Sequence, residues 1–253
     1  MPIRDAEAVV LRHYPLAEAD KIIVLLSKEY GKIRTVAKGV KKTKSRMGGC
    51  LEPLNHVRVE FYSREGRELS YIRQCDLIHS FLGRNPTLDR MYAFTYFAEI
   101  LQEFVQEDQP SELFFRLFLA VLATGETCGI SPALVHYFEL WSLRLGGFLP
   151  NYASCSVCSS LVTDTGFYAW PEAGEGRCGR CAQGKGLYIR AAAAGVLQRL
   201  SEPPQQFACV TLPDRAAEDL ERLTQALLEL NLEKRLKSYP ALKQVLKARE
   251  QIK

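Results

Sequence analysis

The sequence predicts an α+β protein in which a β-rich domain comes first and a helical domain follows. Residues 1–80 hold short apolar or alternating runs separated by turns, and apolar residues recur at helical spacing after Pro86. Residues 150–186 interrupt the helical pattern with a segment rich in Gly, Cys, Ser and Pro. We therefore expect one domain over residues 1–80 and a second over residues 81–253 that contains the cysteine-rich segment as an insert.

Five strands are expected in the first domain, because each run has strand length or alternates with a period of two. They are Ala8–His13, Lys21–Ser27, Lys32–Lys38, Val57–Phe61 and Leu69–Ile78. Five short strands in about 80 residues are typical of a small closed barrel such as an OB-fold. An SH3-like barrel has a similar pattern and is the main alternative.

The second domain is expected to be a helical bundle, because its helices are apolar on wide faces. Ser131 followed by Pro132 is a helix start signal, and Gly146-Gly147 ends the same helix. The expected helices are Leu88–Gln106, Glu112–Ala123, Pro132–Leu145, Arg190–Leu200 and Asp214–Leu232.

The composition is that of an ordinary globular protein, with 47% apolar residues, 25% charged residues and a net charge of +4. These values exclude a histone-like chain and an acidic disordered chain. No apolar run approaches the roughly 20 residues that cross a bilayer, and Met1–Glu7 lacks the apolar core of a signal peptide. We therefore expect a cytoplasmic protein whose thiols stay reduced.

Two cysteine pairs form the sharpest motif. Within each pair two residues separate the cysteines, and 19 residues lie between the pairs, which are Cys155, Cys158, Cys178 and Cys181. This spacing is typical of a four-thiolate zinc site, in which each pair forms a knuckle that grips one edge of a tetrahedron. We expect Gly179 to help the second knuckle turn, and Thr165–Trp170 to form a short strand that packs on the knuckles.

One zinc ion in such a site would be structural, because sulfur fills all four positions and leaves none for water. Two redox dithiols or two chance pairs are the alternatives, but a redox pair follows a strand and opens a helix. The remaining cysteines are isolated, and we expect three of them to be buried thiols without a role. They are Cys50, Cys75, Cys128 and Cys209.

A cationic strand face continues into a cationic loop. On the third strand the cations share one parity, and Ile33, Thr35 and Ala37 occupy the other, inward parity. The cation stripe consists of Lys32, Arg34, Lys38, Lys41, Lys42, Lys44 and Arg46. Such stripes attract phosphate, and the middle strands and loops of an OB-fold form its nucleic-acid face. A merely solvated charged loop is the alternative.

The aromatic residues limit the expected mode of binding. None lies between Gly31 and Glu60, so we expect phosphate-led binding that is independent of sequence and tolerates single and double strands. Four tyrosines outside this interval could either stack on bases or fill the barrel: Tyr14, Tyr30, Tyr62 and Tyr71.

Nothing in the sequence has the spacing of a catalytic centre. The four histidines are scattered, and the Walker, dinucleotide, nucleophile-elbow and His-Glu-x-x-His motifs are absent. A metal nuclease built on Glu107-Asp108 or Glu218-Asp219 is an alternative, but we expect these acidic pairs to lie on solvated helix ends or faces. The sequence thus favours a binding protein over an enzyme.

Several short segments together resemble the RecO-type DNA repair proteins. The strongest are Glu18-Ala-Asp20, Ile23–Leu26, Gly31-Lys32, Ala37–Val40 and Leu51-Glu52-Pro53. Weaker similarity continues in the central helices and at the carboxyl end, at Ser111–Phe115, Pro132–Leu134, Phe138–Leu140, Gly146-Gly147 and Lys237-Ser238. The resemblance covers nearly the whole chain. The order and spacing of these segments are more specific than any single one of them.

This resemblance implies an OB domain followed by a helical domain with a cysteine-bearing insert that binds zinc in some members. It implies a recombination mediator that binds single- and double-stranded DNA and anneals complementary strands. With a RecR partner, such proteins help RecA to replace single-strand-binding protein. The family's DNA-contacting cations match the cation stripe, and nucleoid association follows from the same role.

The resemblance also implies that the helical domain binds the acidic, apolar tail of single-strand-binding protein. Arg116 and Arg144 are the candidates, because each lies within an apolar helix. Each arginine could instead extend to solvent or pair with a neighbouring glutamate. As a whole, the alternative to the mediator is an RNA-binding OB protein with a zinc knuckle.

Overall fold

The structure is a computed structural model that describes residues 3–42, 45, 47–62, 69–162 and 164–250. The chain divides into two compact units, Met1–Glu126 and Thr127–Lys253. Within the described ranges, no helix combines the length and apolar character needed to cross a membrane.

The first unit begins with five strands, which confirms the predicted five-stranded sheet. β1 pairs antiparallel with β2 and β4, β2 pairs with β3, and β4 pairs with β5. A short parallel pairing between β3 and β5 closes the barrel in the order β1-β2-β3-β5-β4. The strands are β1 (Ile3–Pro15), β2 (Lys21–Ser27), β3 (Gly31–Ala37), β4 (Asn55–Tyr62) and β5 (Ser70–Ser80).

Alternation along the strands fills the barrel with small and branched apolar side chains. Ala8 on β1, for example, lies opposite Val57 on β4, and both are fully buried. Because side chains on a strand alternate between faces, every second residue of β1 to β4 enters the core. This core contains Ala6, Ala8, Val10, Ile23, Leu25, Ile33, Ala37, Val57, Val59, Phe61 and Ile72.

The first unit also contains α1 (Leu88–Phe104) and all but the last residue of α2 (Glu112–Thr127). The connection between them meets β3 at Gly31, whose φ is +65°. A Cβ atom on Gly31 would lie 1.9 Å from the Gln109 carbonyl oxygen. The backbone of Lys32 also donates to Gln106 and accepts from Asp108, at 3.2 Å each. Only glycine therefore allows this approach of strand and helix connection.

The second unit is built around α3 (Pro132–Leu145), which is buried on most sides. The Ser131 hydroxyl accepts from the Leu134 backbone N–H at 3.2 Å, which confirms the predicted cap. A three-stranded sheet in the order β7-β6-β8 follows. The remaining elements are β6 (Phe167–Trp170), β7 (Glu175–Arg177), α4 (Gly179–Ala182), β8 (Leu187–Ile189), α5 (Ala191–Gln198), α6 (Pro204–Ala208), α7 (Asp214–Leu232) and α8 (Tyr239–Glu250).

The expectation that Glu218-Asp219 lies on a solvated face is wrong for Asp219, which is completely buried. Its carboxylate accepts from Arg190 Nη1 at 2.6 Å and from Arg222 Nη2 at 2.7 Å. The Arg190 backbone N–H donates to the second carboxylate oxygen at 3.0 Å. Asp219 therefore links α7 to the start of α5 as a structural anion.

Candidate nucleic-acid interface and metal centre

The third strand divides its side chains as alternation predicts. Ile33, Thr35 and Ala37 are buried, whereas Arg34 and Lys38 are exposed. Lys41 and Lys42, in the loop that follows, are also exposed. Lys44 and Arg46 lie outside the described residues. The structure thus presents four cations of the stripe to solvent on and after β3: Arg34, Lys38, Lys41 and Lys42.

Lys32 has a different environment from the other cations of the stripe. Its side chain is half-buried, and its ammonium group donates to the Gln102 carbonyl oxygen at 2.7 Å. That carbonyl lies in the last turn of α1, where a cation complements the negative end of the helix dipole. Lys32 therefore joins the barrel to α1, a contact that strand parity alone did not reveal.

The start of the basic loop is held by the turn between β1 and β2. The Gly39 backbone N–H donates to the Asp20 carboxylate at 2.7 Å. The Lys41 ammonium donates to the Ala17 carbonyl oxygen at 2.8 Å, and its backbone N–H donates to Ala19 at 3.0 Å. Asp20 thereby fixes the backbone that carries the first loop cations.

The four tyrosines have different positions, and Tyr14 is exposed near the end of β1. Tyr30 packs against the barrel core and meets Phe61 edge to face, with ring centroids 5.6 Å apart. Tyr62 and Tyr71 lie on the outside, half-buried and stacked, with centroids 5.7 Å apart and an interplanar angle of 20°. The Lys38 ammonium lies 5.1 Å from the Tyr71 ring centroid. An aromatic pair thus adjoins the cation stripe. The absence of aromatic residues between Gly31 and Glu60 gave no indication of this pair.

The four cysteines of the predicted zinc site come together in the second unit. Their Sγ atoms all lie within 4.8 Å of one another. Among the described residues, no other group of His, Cys, Asp and Glu side chains brings three ligand atoms this close. Cys155 is buried, Cys158 is exposed, and Cys178 and Cys181 are half-buried. The cluster has the donors and the spacing to hold a metal ion.

Each cysteine pair lies on a tight turn. In the first knuckle the Ser159 backbone N–H donates to the Cys155 carbonyl at 2.9 Å, and Ser159 has a φ of +58°. In the second, Ala182 donates to Cys178 at 2.9 Å, and Gln183 has a φ of +51°. The predicted role of Gly179 is wrong, because its φ is not in the left-handed region and a Cβ atom there would meet no atom within 4 Å.

The short sheet supports the cluster. The predicted strand is present as β6, and β7 beside it approaches the first knuckle, where the Ser156 backbone N–H donates to the Gly176 carbonyl at 2.8 Å. Tyr152 stacks on Phe167 with centroids 4.9 Å apart. Hydrogen bonds from the Ser160 hydroxyl and backbone N–H lower the pKa of the Cys158 thiol to about 5. The lowered pKa favours the thiolate, the form that binds metals.

The isolated cysteines only partly match the prediction of three buried thiols. Cys75 is buried and Cys50 is half-buried. Burial, the neighbouring Cys50 and Asp76 raise the pKa of the Cys75 thiol. Cys128, which lies between Thr127 and Gly129, and Cys209, which lies among apolar residues, are both exposed.

The two arginines predicted to bind a partner lie in different units. Arg116 is exposed on α2. Arg144 is exposed near the end of α3, 5.1 Å from the Trp141 ring. It borders a cavity of about 380 Å³ with apolar walls from Leu149, Pro150, Ala194 and Leu197. Arg144 thus combines a cation with adjacent apolar surface.

A buried polar network in the second unit escaped sequence reasoning. Glu139 is completely buried, and its carboxylate lies 2.8 Å from His136 Nδ1. It accepts from the Thr224 hydroxyl at 2.7 Å and from the Gln225 amide at 2.8 Å. These donors lie 85 and 86 residues away on α7. The only local indication in the sequence is that His136 and Glu139 lie three residues apart on one helix.

A cavity of about 550 Å³ adjoins this network and is lined in part by His136, Glu221, Tyr239 and Lys243. Burial raises the pKa of the Glu221 carboxyl, but hydrogen bonds from Lys243 and Tyr239 and the Lys243 charge bring it below its usual value. Burial and the nearby carboxylates raise the pKa of Tyr239. The cavity wall therefore holds an ionised Glu221 bridged to α8 by Lys243.

Comparison with known proteins gives the family. The model described as Recombination protein O N terminal matches residues 1–81, and the model described as Recombination protein O C terminal matches residues 85–240. The chain belongs to the RecO family. The first RecO match ends one residue after β5, and the second begins shortly before α1.

Similar proteins carry the same name. The chain is 34% identical to a DNA repair protein RecO from Koribacter versatilis, over 92% of this chain and 96% of that protein. It is 31% identical to one from Anaeromyxobacter dehalogenans, over 90% and 91% of the two chains. It is 30% identical to one from Pelotomaculum thermopropionicum, over 94% and 93%. The resemblance found in the sequence is confirmed, and the chain is a RecO-family DNA repair protein.

Proposed function

We propose that the protein is a recombination mediator that binds single- and double-stranded DNA without sequence specificity and anneals complementary strands. With RecR, it helps RecA onto DNA coated by single-strand-binding protein, and it acts at the nucleoid without catalysing covalent chemistry. The observation that carries this proposal is the set of exposed cations on β3 and its following loop, in the part of the chain that matches the RecO amino-terminal model.

The barrel is proposed to be an OB-fold. Five strands closed in the order β1-β2-β3-β5-β4, with β3 parallel to β5, are consistent with that fold. β3 and the loop after it then occupy the face on which OB-folds hold nucleic acid. The charged strand and the expected binding face coincide, which supports the OB-fold over the SH3-like barrel.

Phosphate contacts carry the proposed binding. Arg34, Lys38, Lys41 and Lys42 are available on the surface, and Lys44 and Arg46 extend the same charge along the sequence. We assign Lys32 to the contact with α1 and not to DNA, because its side chain is half-buried and its ammonium is bound to a carbonyl of that helix. Lys41 also meets a carbonyl, that of Ala17, but its side chain is exposed. Contacts to the DNA phosphate backbone carry no sequence information. Such a surface therefore suits a protein that binds DNA of any sequence.

The cysteine cluster is proposed to hold one structural zinc ion. Zinc–sulfur bonds of about 2.3 Å in a tetrahedron place the sulfur atoms about 3.8 Å apart. Cys158 Sγ and Cys178 Sγ, which come from different knuckles, lie 3.7 Å apart. Four thiolate donors also match zinc better than the oxygen-preferring cations. The ion would tie the knuckles together and supply no reactive position.

The acidic tail of single-strand-binding protein is proposed to bind beside Arg144, with its carboxylates on the guanidinium and its apolar side chains in the cavity of Leu149 and Leu197. Arg116 is the second candidate, because it is exposed one turn after the exposed Leu113. Each arginine offers a cation in a segment that carries a net negative charge over residues 81–150. A tail drawn only by bulk charge would avoid this segment.

An annealing assay with two complementary fluorescent strands tests the proposal, with and without bound single-strand-binding protein. The protein should accelerate annealing of naked strands and of coated strands. Arg144→Glu should slow annealing of coated strands only, because Arg144 lies outside the cation stripe, and Arg199→Glu serves as an exposed control in the same unit. Failure of the unaltered protein to bind or anneal DNA, or tight binding to RNA loops instead, would overturn the mediator function.

A further inference from the structure

A row of apolar and aromatic side chains runs around the outside of the barrel. Residues that lie opposite one another on adjacent strands point to the same face, so the register defines the row. Its neighbours on both sides, such as Ile23 and Phe61, point into the core. From β1 through β2, β3, β5 and β4 back to β1 the row is Tyr14, Ile22, Val36, Tyr71, Tyr62 and Ile3.

Two parts of this row reach the surface. Tyr14 is 36% exposed at one end, Ile3 is 53% exposed at the other, and the stacked Tyr62 and Tyr71 are half-buried between Ile3 and the centre. Val36 in the centre is only 4% exposed and separates the two parts. The outer surface of a small barrel thus carries partly accessible rings instead of the polar side chains that usually face water.

Cations lie beside both accessible parts. The Arg12 guanidinium lies 4.8 Å from the Tyr14 ring centroid, and the Lys38 ammonium lies 5.1 Å from that of Tyr71. Arg12 and Arg34 both lie opposite Val24, so they share the next row on the same face. A partner that fits this surface needs flat apolar groups and regularly spaced negative charges.

We propose that Tyr62 and Tyr71 form a stacking platform for the unpaired bases of a single strand whose phosphates lie on Lys38 and Arg34. This inference rests on the proposed DNA binding and corrects its expected mode, because part of the affinity for single strands then comes from bases. Aromatic rings accept every base, since each base has a π face, so the platform adds no sequence preference.

The platform distinguishes single strands from duplex. Bases inside a duplex are already stacked on one another and cannot lie on a ring, whereas phosphates stay available in both forms. When two bound strands pair, their bases leave the rings and only the phosphate contacts remain. The annealed product is therefore held more weakly than the strands that formed it, which favours its release.

Binding of a thymidine oligonucleotide and of an abasic strand of equal length, measured by fluorescence anisotropy, tests the platform. The two ligands carry the same phosphates, and only one carries bases. The unaltered protein should bind the thymidine strand more tightly. Tyr71→Ala should reduce that affinity by about fivefold or more, the effect of losing one stacked base, and should leave abasic binding nearly unchanged. Tyr71→Phe should retain the affinity of the unaltered protein.

Tyr188→Ala is the control, because Tyr188 is 40% exposed on β8 in the other unit. Circular dichroism and thermal unfolding establish that each variant is folded, and Tyr62→Ala provides a second test should Tyr71→Ala not fold. Equal losses on thymidine and abasic strands, or no loss on either, would overturn the platform while the DNA-binding function stands. No binding of the unaltered protein to either strand would instead overturn the DNA-binding function itself.

Discussion

The Sγ atoms of Cys158 and Cys178 lie 3.7 Å apart, although 19 residues separate the two cysteines in the chain. Each knuckle is closed by a hydrogen bond from the backbone N–H of the residue after its second cysteine to the carbonyl of its first cysteine. A short sheet between them fixes their separation. A metal ion at this point would tie the two knuckles together.

The purified protein should therefore contain about one zinc ion per chain. Cys178→Ser should lower metal content and the unfolding temperature, because metal binding contributes directly to the folding free energy of such a segment. DNA binding should survive, because the cation stripe belongs to the other unit. Cys128→Ser, which changes an exposed isolated thiol, should alter neither property. Native protein without metal, in which all eight thiols react freely, would contradict the zinc site.

Gly31→Ala should strongly destabilise the first unit. The new Cβ would have both an unfavourable φ of +65° and a contact of 1.9 Å with the Gln109 carbonyl oxygen, so we expect a loss of more than about 2 kcal/mol. Gly83→Ala is the matched control, because Gly83 has a φ of +60° but no atom within 4 Å of its Cβ position. It should cost only about 1 kcal/mol. Equal losses in urea unfolding would mean that the Gln109 contact is unimportant.

Combining Arg190→Met with Arg222→Met should lower the free energy of unfolding by more than the sum of the losses in the two single variants. Either arginine can partly neutralise the buried Asp219 carboxylate alone, but without both the charge is buried and unpaired, at a cost of about 3–5 kcal/mol. A double-mutant cycle in urea measures this coupling. Additive losses would show that the Arg190 backbone N–H and solvent are sufficient to stabilise Asp219.

Lys243→Met should reduce stability more at pH 7 than at pH 3.5. The pKa of Glu221 lies below its unfolded value of 4.5 in the folded protein. Its ionised form therefore contributes stability above about pH 4.5, and this contribution is lost as the pH falls through the folded pKa. Without Lys243, burial of Glu221 raises its pKa and the contribution disappears. Melting temperatures across this pH range should show the difference, whereas Lys247→Met, on the same helix, should show little pH dependence.

Local patterns in the sequence predicted the parts of the molecule that are defined locally. The bounds of β2 and α7 were predicted to the residue, because an apolar run between turns and a long periodic segment need no information from elsewhere. The cysteine cluster was also predictable, since short spacings determine which thiols can share an ion. The Ser131 cap follows from two adjacent residues.

Contacts between distant segments could not be predicted in this way. Tyr62 and Tyr71 stack because β4 and β5 pair in one particular register, and an alternating pattern does not fix which residues face each other. Lys32 has the same parity as Arg34 but reaches a helix carbonyl that lies 70 residues away. The sequence around Asp219 is typical of a surface acid, but in the folded chain Asp219 is buried beside Arg190. In each case tertiary structure decides the role of a charge or a ring.

The salt dependence of DNA binding tests the central claim, that the exposed cations after β3 hold DNA phosphates. If six cations of the stripe, from Arg34 to Arg46, each neutralise one phosphate, log K on duplex should fall against log salt with a slope of about −5. Changing both Lys38 and Lys41 to Ala should weaken binding to all sequences alike and reduce the slope by up to about two. Changing the exposed Lys234 and Lys237 to Ala, which removes the same charge, should leave the slope unchanged. An unchanged slope in the first variant and a reduced slope in the second would place the DNA-binding surface in the carboxyl-terminal unit and contradict the account.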